Sequence, residues 1–187
     1  MKLEIVNNAG DFVKEIAQTE EMCFSQPWSE AAVSDFLSYN YNGAFICLAD
    51  GAFAGYVTYT ALCGEVQIAN VATVPVFRRN GIGSLLIQHL VCVAKETENE
   101  VITLEVRQKN EPAIALYEKH GFVTVGVRKN FYKKPDDNAH PQTVTERERT
   151  EAHLRGAEHV RVGQSAEPMK KGRRYSQHTS GRSIWIW

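Results

Sequence analysis

The 187-residue chain lacks any apolar run near the roughly 18 residues that a membrane-spanning helix needs, so no membrane span is expected. Its first residues, Met1-Lys2-Leu3-Glu4-Ile5-Val6, carry no signal-peptide pattern. Cysteine is scarce: Cys23, Cys47, Cys63 and Cys92, with no C-x-x-C pair. That spacing argues against a zinc site or a disulfide framework and fits reduced thiols in a cytoplasmic protein with no bound metal. No internal repeat shows. The Gly-x-x-x-x-Gly-Lys-Ser/Thr pattern of a Walker A loop is missing. Net charge is low, −1, but uneven. Residues 1–140 hold 12 Lys+Arg against 17 Asp+Glu, and residues 141–187 hold 9 against 5. An acidic main part suits a cationic acceptor better than DNA.

What the chain does have is concentrated between Gln67 and Ala94. Gln67 to Pro75 is a β-rich run ended by a proline. Arg78-Arg79-Asn80-Gly81-Ile82-Gly83 is a basic glycine turn, and Ser84 to Ala94 continues as an apolar-periodic helix with Leu85, Leu86, His89, Leu90 and Val93 on one face. Strand, glycine turn and helix together make an anion site. The helix start leaves N–H groups unpaired and carries partial positive charge. Glycines let a phosphate approach the backbone, and the arginines add forked donors. A dinucleotide loop would need a small residue where Leu86 stands. An ordinary glycine turn with solvated arginines is the plain alternative.

Around this centre the pattern predicts one α/β domain over residues 1–140, in the order β-α-α-β-β-β-α-β-α-β. Lys2 to Val6 is a strand. Asn8 caps a helix with Phe12, Ile16 and Ala17 inward and Glu20-Glu21 outward. Pro27 breaks it, and Ser29 caps a second helix carrying Val33, Phe36 and Leu37. Gly43–Ala49 and Phe53–Ala61 are strands joined by Asp50-Gly51, and Cys63-Gly64 leads into the central strand. Val101–Val106 is a buried strand. Asn110 caps a helix with Pro112 in its first turn, and Gly121 ends it. Phe122 to Arg128 is a further strand.

Several residues stand out for chemistry. Glu105 lies in an otherwise apolar strand, on the face of Val101 and Thr103. A carboxylate among apolar neighbours tends to a raised pKa, which suits a general base; a solvated strand-edge Glu is the plainer reading. Tyr117, about two turns into the last helix, is either a packing residue or a hydroxyl turned back toward a cleft. Asn110 is first a cap. Trp28 and Tyr132 are loop aromatics that either pack or wall a peptide groove.

Arg78-Arg79-Asn80-Gly81-Ile82-Gly83, straight after Val74-Pro75, resembles the acyl-CoA pyrophosphate loop of the GNAT family of N-acetyltransferases. Four further stretches are similar to its RimI branch: Thr103-Leu104-Glu105-Val106-Arg107, Ala113 to Glu118 with Gly121-Phe122, Pro27-Trp28-Ser29, and Arg128 to Tyr132. The resemblance covers roughly residues 1–140. It implies the GNAT fold, with a mixed, mostly antiparallel sheet between helices. It implies acetyl-CoA as co-substrate, held by Val71, Ala72 and Thr73, by Arg78, Arg79, Asn80, Gly81, Ile82, Gly83 and Ser84, and by Asn110. The strand holding Val71 and Thr73 would splay from its neighbour, the Val71 N–H supporting the oxyanion; a fully paired central strand is the alternative. Glu105 would take the proton and Tyr117 give one. The implied acceptor is the N-terminal alanine of the eighteenth small-subunit ribosomal protein, acetylated by a cytoplasmic monomer. Transfer to a lysine side chain or small amine, and a non-catalytic acyl-CoA-binding module, are the other readings.

From Pro141 on, apolar periodicity is lost. The resembled family ends in an Ile/Met/Leu-rich strand here, whereas this chain reads Pro141-Gln142-Thr143. The expectation is a basic, mostly disordered tail over 141–187, with at most a weak helix from Val144 to Val160. A shifted reading frame or fused sequence near residue 140 would produce it and leave the sheet without its last strand. A genuine basic extension, binding ribosomal RNA or nothing, is the other reading.

Overall fold

A computed structural model describes residues 1–132 and 135–145. Strand β1 (Leu3–Val6) leads through a 3-10 turn (Ala9–Phe12) into α1 (Val13–Cys23) and α2 (Glu30–Ser38). The meander β2 (Asn42–Ala49), β3 (Ala52–Leu62) and β4 (Glu65–Thr73) follows, then α3 (Ile82–Glu96), β5 (Val101–Arg107) and α4 (Glu111–Lys119). Short strands β6 (Val123–Thr124) and β7 (Arg128–Tyr132) precede β8 (Asp137–Thr145). The sheet order is β1-β2-β3-β4-β5-β8-β6, with β7 also on β8. All pairings are antiparallel except β4 with β5. No helix among the described residues is long and apolar enough to cross a membrane.

Each face of the sheet carries its own core. On one, α3 and α4 bury Leu86, Ile87, Leu90 and Tyr117 against Val57, Val66, Ile68, Ile102, Leu104 and Val106. On the other, α1 and α2 bury Ile16 and Val33 against Ala44, Ile46, Tyr56 and Ala72. A fully buried leucine such as Leu86 contributes about 1.5–3 kcal/mol relative to exposure. Ser29 caps α2, its side chain accepting from the Ala32 N–H at 3.2 Å. Asn8 does not cap: its amide donates to Asp11 Oδ2 at 2.7 Å, and the turn there is 3-10.

Three further expectations about the folded part are corrected. First, Glu20 does not face outward; it is fully buried. Second, the sheet is not left without its last strand. Residues 137–145 form β8, paired with β5 from Val101↔Thr145 to Arg107↔Ala139. The strand runs through position 140, and Val144 and Thr145 close it rather than opening a helix. The rest of the tail, residues 146–187, lies outside the described residues. Third, Phe122–Arg128 is not one strand. β6 stops at Thr124, and Val125 and Val127 are exposed.

Pro141 accounts for both the survival of β8 and the brevity of β6. Its carbonyl accepts from the Val125 N–H at 2.9 Å, so its missing N–H is also on the β6 side. Opposite Glu105, Pro141 therefore costs the β5–β8 ladder nothing. On the other side it removes the bond that would carry β6 onward.

Gln142 is the other misfit of β8. It pairs with Leu104, is buried to 1% exposure, and donates to Thr124 Oγ1 at 3.1 Å. Its Oε1 has no partner among the described residues. Replacing it with leucine removes an unsatisfied buried acceptor and leaves the exposed Thr124 hydroxyl to water. Gln142→Leu is expected to raise unfolding stability by about 1–3 kcal/mol in urea titrations. A loss of stability would show that the polar side chain is needed there.

Candidate active site

The site begins where the parallel pair opens. The β4–β5 ladder covers three pairs, from Glu65↔Val101 to Gln67↔Thr103, yet β4 runs on to Thr73 and β5 to Arg107. Strand alternation says which backbone groups face the gap. The Asn70 N–H donates to Thr58 Oγ1 at 3.0 Å and the Val74 N–H to Ala54 O at 2.9 Å, both toward β3. Ala72 lies on the same alternation. Val71 and Thr73 therefore turn their N–H and C=O groups toward the splay, where an extended guest can meet all but the Thr73 carbonyl, which already accepts from Arg78 Nε and Cys23 Sγ.

The loop after β4 supplies an anion cradle. Gly81 is the residue before α3 and takes φ 80°, with no side-chain cap on the helix. Only the Leu85 N–H closes back, onto Gly81 O at 2.9 Å, which leaves the N–H groups of Ile82, Gly83 and Ser84 at the open end. No acidic residue occupies the first turn. Gly83 packs closely against α4: a Cβ there would stand 3.2 Å from Leu116 Cδ2, which would have to give by a few tenths of an ångström. Ile82 is buried and anchors the loop to the core.

The loop side chains divide by role. Arg79 is exposed and left-handed, φ 66°. Arg78 folds back over the end of β4, its Nε 3.4 Å from Thr73 O and its Nη2 3.3 Å from Cys23 Sγ. The Asn80 amide nitrogen closes the turn onto Phe77 O and Arg78 O, so its side-chain donor is already engaged. Ser84 Oγ lies 2.7 Å from His120 Nε2. Burial, with help from Lys119, lowers His120 to about 4, so a neutral ring docks the end of α4 on the start of α3.

Glu105 is 6% exposed and stands on β5 beyond the last β4 pair. Its Oε1 meets Arg128 Nη1 at 2.9 Å, and its Oε2 is buried with no partner among the described residues. Burial raises its pKa, and the Arg128 charge pulls part of the way back. A second buried carboxylate, Glu20, differs in one respect. Both its oxygens are already bonded, Oε1 by Tyr56 and Asn70 and Oε2 by the Trp28 N–H. Among the buried carboxylates of the described residues, Glu105 alone has an oxygen with no hydrogen-bond partner.

Tyr117 sits on the α3/α4 face with its ring 5.7 Å from Phe122, and burial pushes its hydroxyl far above the usual range. It therefore keeps its proton at working pH. Burial raises the Tyr132 pKa and the Glu105 charge adds to it, while at Tyr117 burial is the main cause and Tyr132 adds a little more. Tyr132 is fully buried under the Arg107 guanidinium, 4.3 Å from its ring centre. It is thus floor rather than solvent-facing wall. Trp28 is half-buried with its ring 5.0 Å from Phe36. Asn110 caps α4, Oδ1 accepting from the Ala113 N–H at 3.2 Å, while its buried Nδ2 has no partner among the described residues.

A family model for the acetyltransferase (GNAT) family matches residues 13–122, more than half the chain and all of this site's core. The chain belongs to the GNAT family. It is therefore an acyltransferase, and its splayed strands and glycine loop are the parts of a GNAT enzyme. Among curated relatives, this GNAT chain is 31% identical over 117 residues to the Escherichia coli K12 ribosomal protein bS18-alanine N-acetyltransferase, covering 63% of this chain and 78% of that one. A Bacillus subtilis protein provisionally given the same name is 30% identical over 145 residues, 77% of this chain and 96% of its own. The crystal structure of the E. coli ribosomal-protein-S18-alanine N-acetyltransferase superposes with a TM-score of 0.73 at 25% identity, covering 77% and 94% of the two chains.

Sequence reasoning missed two members of the site. In the sequence Arg128 only ends an expected strand and opens a RimI-like stretch, and Glu20 reads as a solvent residue. Glu20 did leave a signal, because Phe12, Ile16 and Glu20 recur every fourth residue along one face.

Proposed function

We propose that the protein transfers the acetyl group of acetyl-CoA directly to the N-terminal α-amine of alanine on a ribosomal protein, the eighteenth of the small subunit. The observation that carries this reading is one buried carboxylate with a free oxygen beside backbone groups that the splay leaves open. The pyrophosphate would rest on the N–H groups from Gly81 to Ser84 with Arg79 beside it, and the pantetheine amides would pair with Val71 and Thr73. The spare donor of Asn110 suits a carbonyl of the same arm. The α-amine, ordinarily at pKa about 7.7–8, needs only a modest base. Glu105 takes its proton as the new N–C bond forms. The Val71 N–H holds the charge that develops on the carbonyl oxygen. As the C–S bond breaks, Tyr117 protonates the departing thiolate. A lysine acceptor, at about 10.4, would ask more of one carboxylate.

Mass spectrometry of peptides starting Ala-, Ser- and Met-, incubated with acetyl-CoA and the protein, tests the reading. Acetylation at the α-amine, greatest for Ala-, is expected. Product confined to lysine side chains would transfer the reading to the other acceptor class, and none on any peptide would leave a binding module.

Arg128 gives a pH test of the base. Its charge favours the ionised carboxylate, so its removal raises the Glu105 pKa further. A base works only when unprotonated, so activity is lost as pH falls through that pKa. In Arg128→Gln the acid limb of kcat/KM is expected to move to higher pH, with the acceptor's own titration common to both proteins. A limb that stays put or moves down would separate Arg128 from the catalytic carboxylate.

A further inference from the structure

Glu20 is a buried ionisable group for which the mechanism has no use. It lies in the last turns of α1 with no exposure, and no Lys or Arg among the described residues forms an ion pair with it. Instead three neutral donors converge on it. Asn70 Nδ2 donates to Oε1 at 2.6 Å, the Tyr56 hydroxyl donates to the same oxygen, and the Trp28 N–H donates to Oε2 at 3.0 Å. Tyr56 and Asn70 are themselves fully buried. If stability alone were at stake, well-packed apolar side chains would serve as well as such a cluster, because ions are costly to remove from water.

The three donors belong to elements with different tasks. Trp28 stands in the loop between α1 and α2, where as a groove wall it would border the acceptor peptide. Asn70 immediately precedes Val71, and its peptide unit carries the Val71 N–H that faces the splay. Asn70 is held on two sides, its side chain by Glu20 and its N–H by Thr58 Oγ1. Tyr56, on β3, pairs with Ala72. We infer that Glu20 is a positioning residue, one carboxylate that fixes the acceptor loop at Trp28 and the oxyanion donor at Val71 in a single frame. This rests on the proposed function for what the two ends do. The clasp itself can be read without turnover.

Glu20→Gln keeps the size of the side chain but replaces one acceptor by a donor, so the three donors can no longer all be met. The Trp28 loop is expected to be released first, because its bond is the one to Oε2 alone. Hydrogen exchange should show this: the Trp28 amide is protected in the native protein despite its place in a loop, and it exchanges at least tenfold faster in Glu20→Gln. Protection in α3 stays as it was. In steady-state assays with an Ala-starting peptide, KM for the peptide rises about tenfold and kcat falls, while the Kd for coenzyme A stays within about twofold. Tyr56→Phe, which leaves the other two donors in place, gives a smaller change in the same direction and serves if Glu20→Gln does not fold. Unchanged Trp28 exchange and unchanged peptide KM in a folded variant would overturn the inference. A wild-type protein that acetylates no α-amine but shows the Trp28 exchange difference would instead overturn the functional reading and leave the clasp standing.

Discussion

Replacing Glu105 with glutamine is expected to lower kcat by about 10²- to 10⁴-fold, the range that a positioned base contributes. The substitution is nearly isosteric, and the Val101–Arg107 strand loses no backbone bond. Arg128, 61% exposed, keeps water as a partner when the ion pair goes. Coenzyme A affinity should hold within about twofold, since the pyrophosphate and pantetheine contacts come from β4, the glycine loop and Asn110. The deficit should be greatest below the acceptor's pKa, where an ammonium must first be relieved of its proton. Unaltered turnover in a folded Glu105→Gln protein would remove Glu105 from its assigned role. It would not promote Glu20, whose two oxygens are already engaged.

Arg79→Gly should separate binding from stability. Arg79 is exposed and holds φ 66°, a conformation costly for a residue with a Cβ. Glycine relieves that strain but gains freedom in the unfolded chain, so the two effects oppose and net stability should change by no more than about 1 kcal/mol. Affinity for coenzyme A should nevertheless fall about tenfold or more, because a charge-assisted bond to phosphate contributes about 1.5–3 kcal/mol. Calorimetric titration beside a thermal melt checks both. Equal affinity in the two proteins would mean that the helix start and backbone alone hold the anion. Arg78 is a poorer probe, since its guanidinium already lies on Thr73 O and Cys23 Sγ.

What could be read from the chain follows from how local each signal is. The loop from Arg78 to Ser84 was legible because its glycines, charges and following helix are contiguous. Glu105 was legible because strand alternation assigns its face without reference to any partner. Glu20 was not. Its helical spacing placed it inward, but charge argued outward, and the donors that settle the matter lie 8, 36 and 50 residues away. The last strand failed for a similar reason. Pro141 and Gln142 argue against a strand by composition, yet pairing with β5, far earlier in the chain, carries them, and the proline's missing donor faces the side where β6 ends. Whether Tyr132 packs or walls a groove was not legible, because the arginine that covers it, Arg107, comes from another strand.

The claim beneath all of this is that the splayed strands and the start of α3 hold a coenzyme A molecule. Isothermal titration of the folded protein with coenzyme A tests it most directly, with a thermal melt on the same sample. The account predicts measurable heat at a 1:1 ratio, and at 100 times Kd a stabilisation of about 2.7 kcal/mol. A well-folded sample that gives neither heat nor a shift in Tm would contradict it.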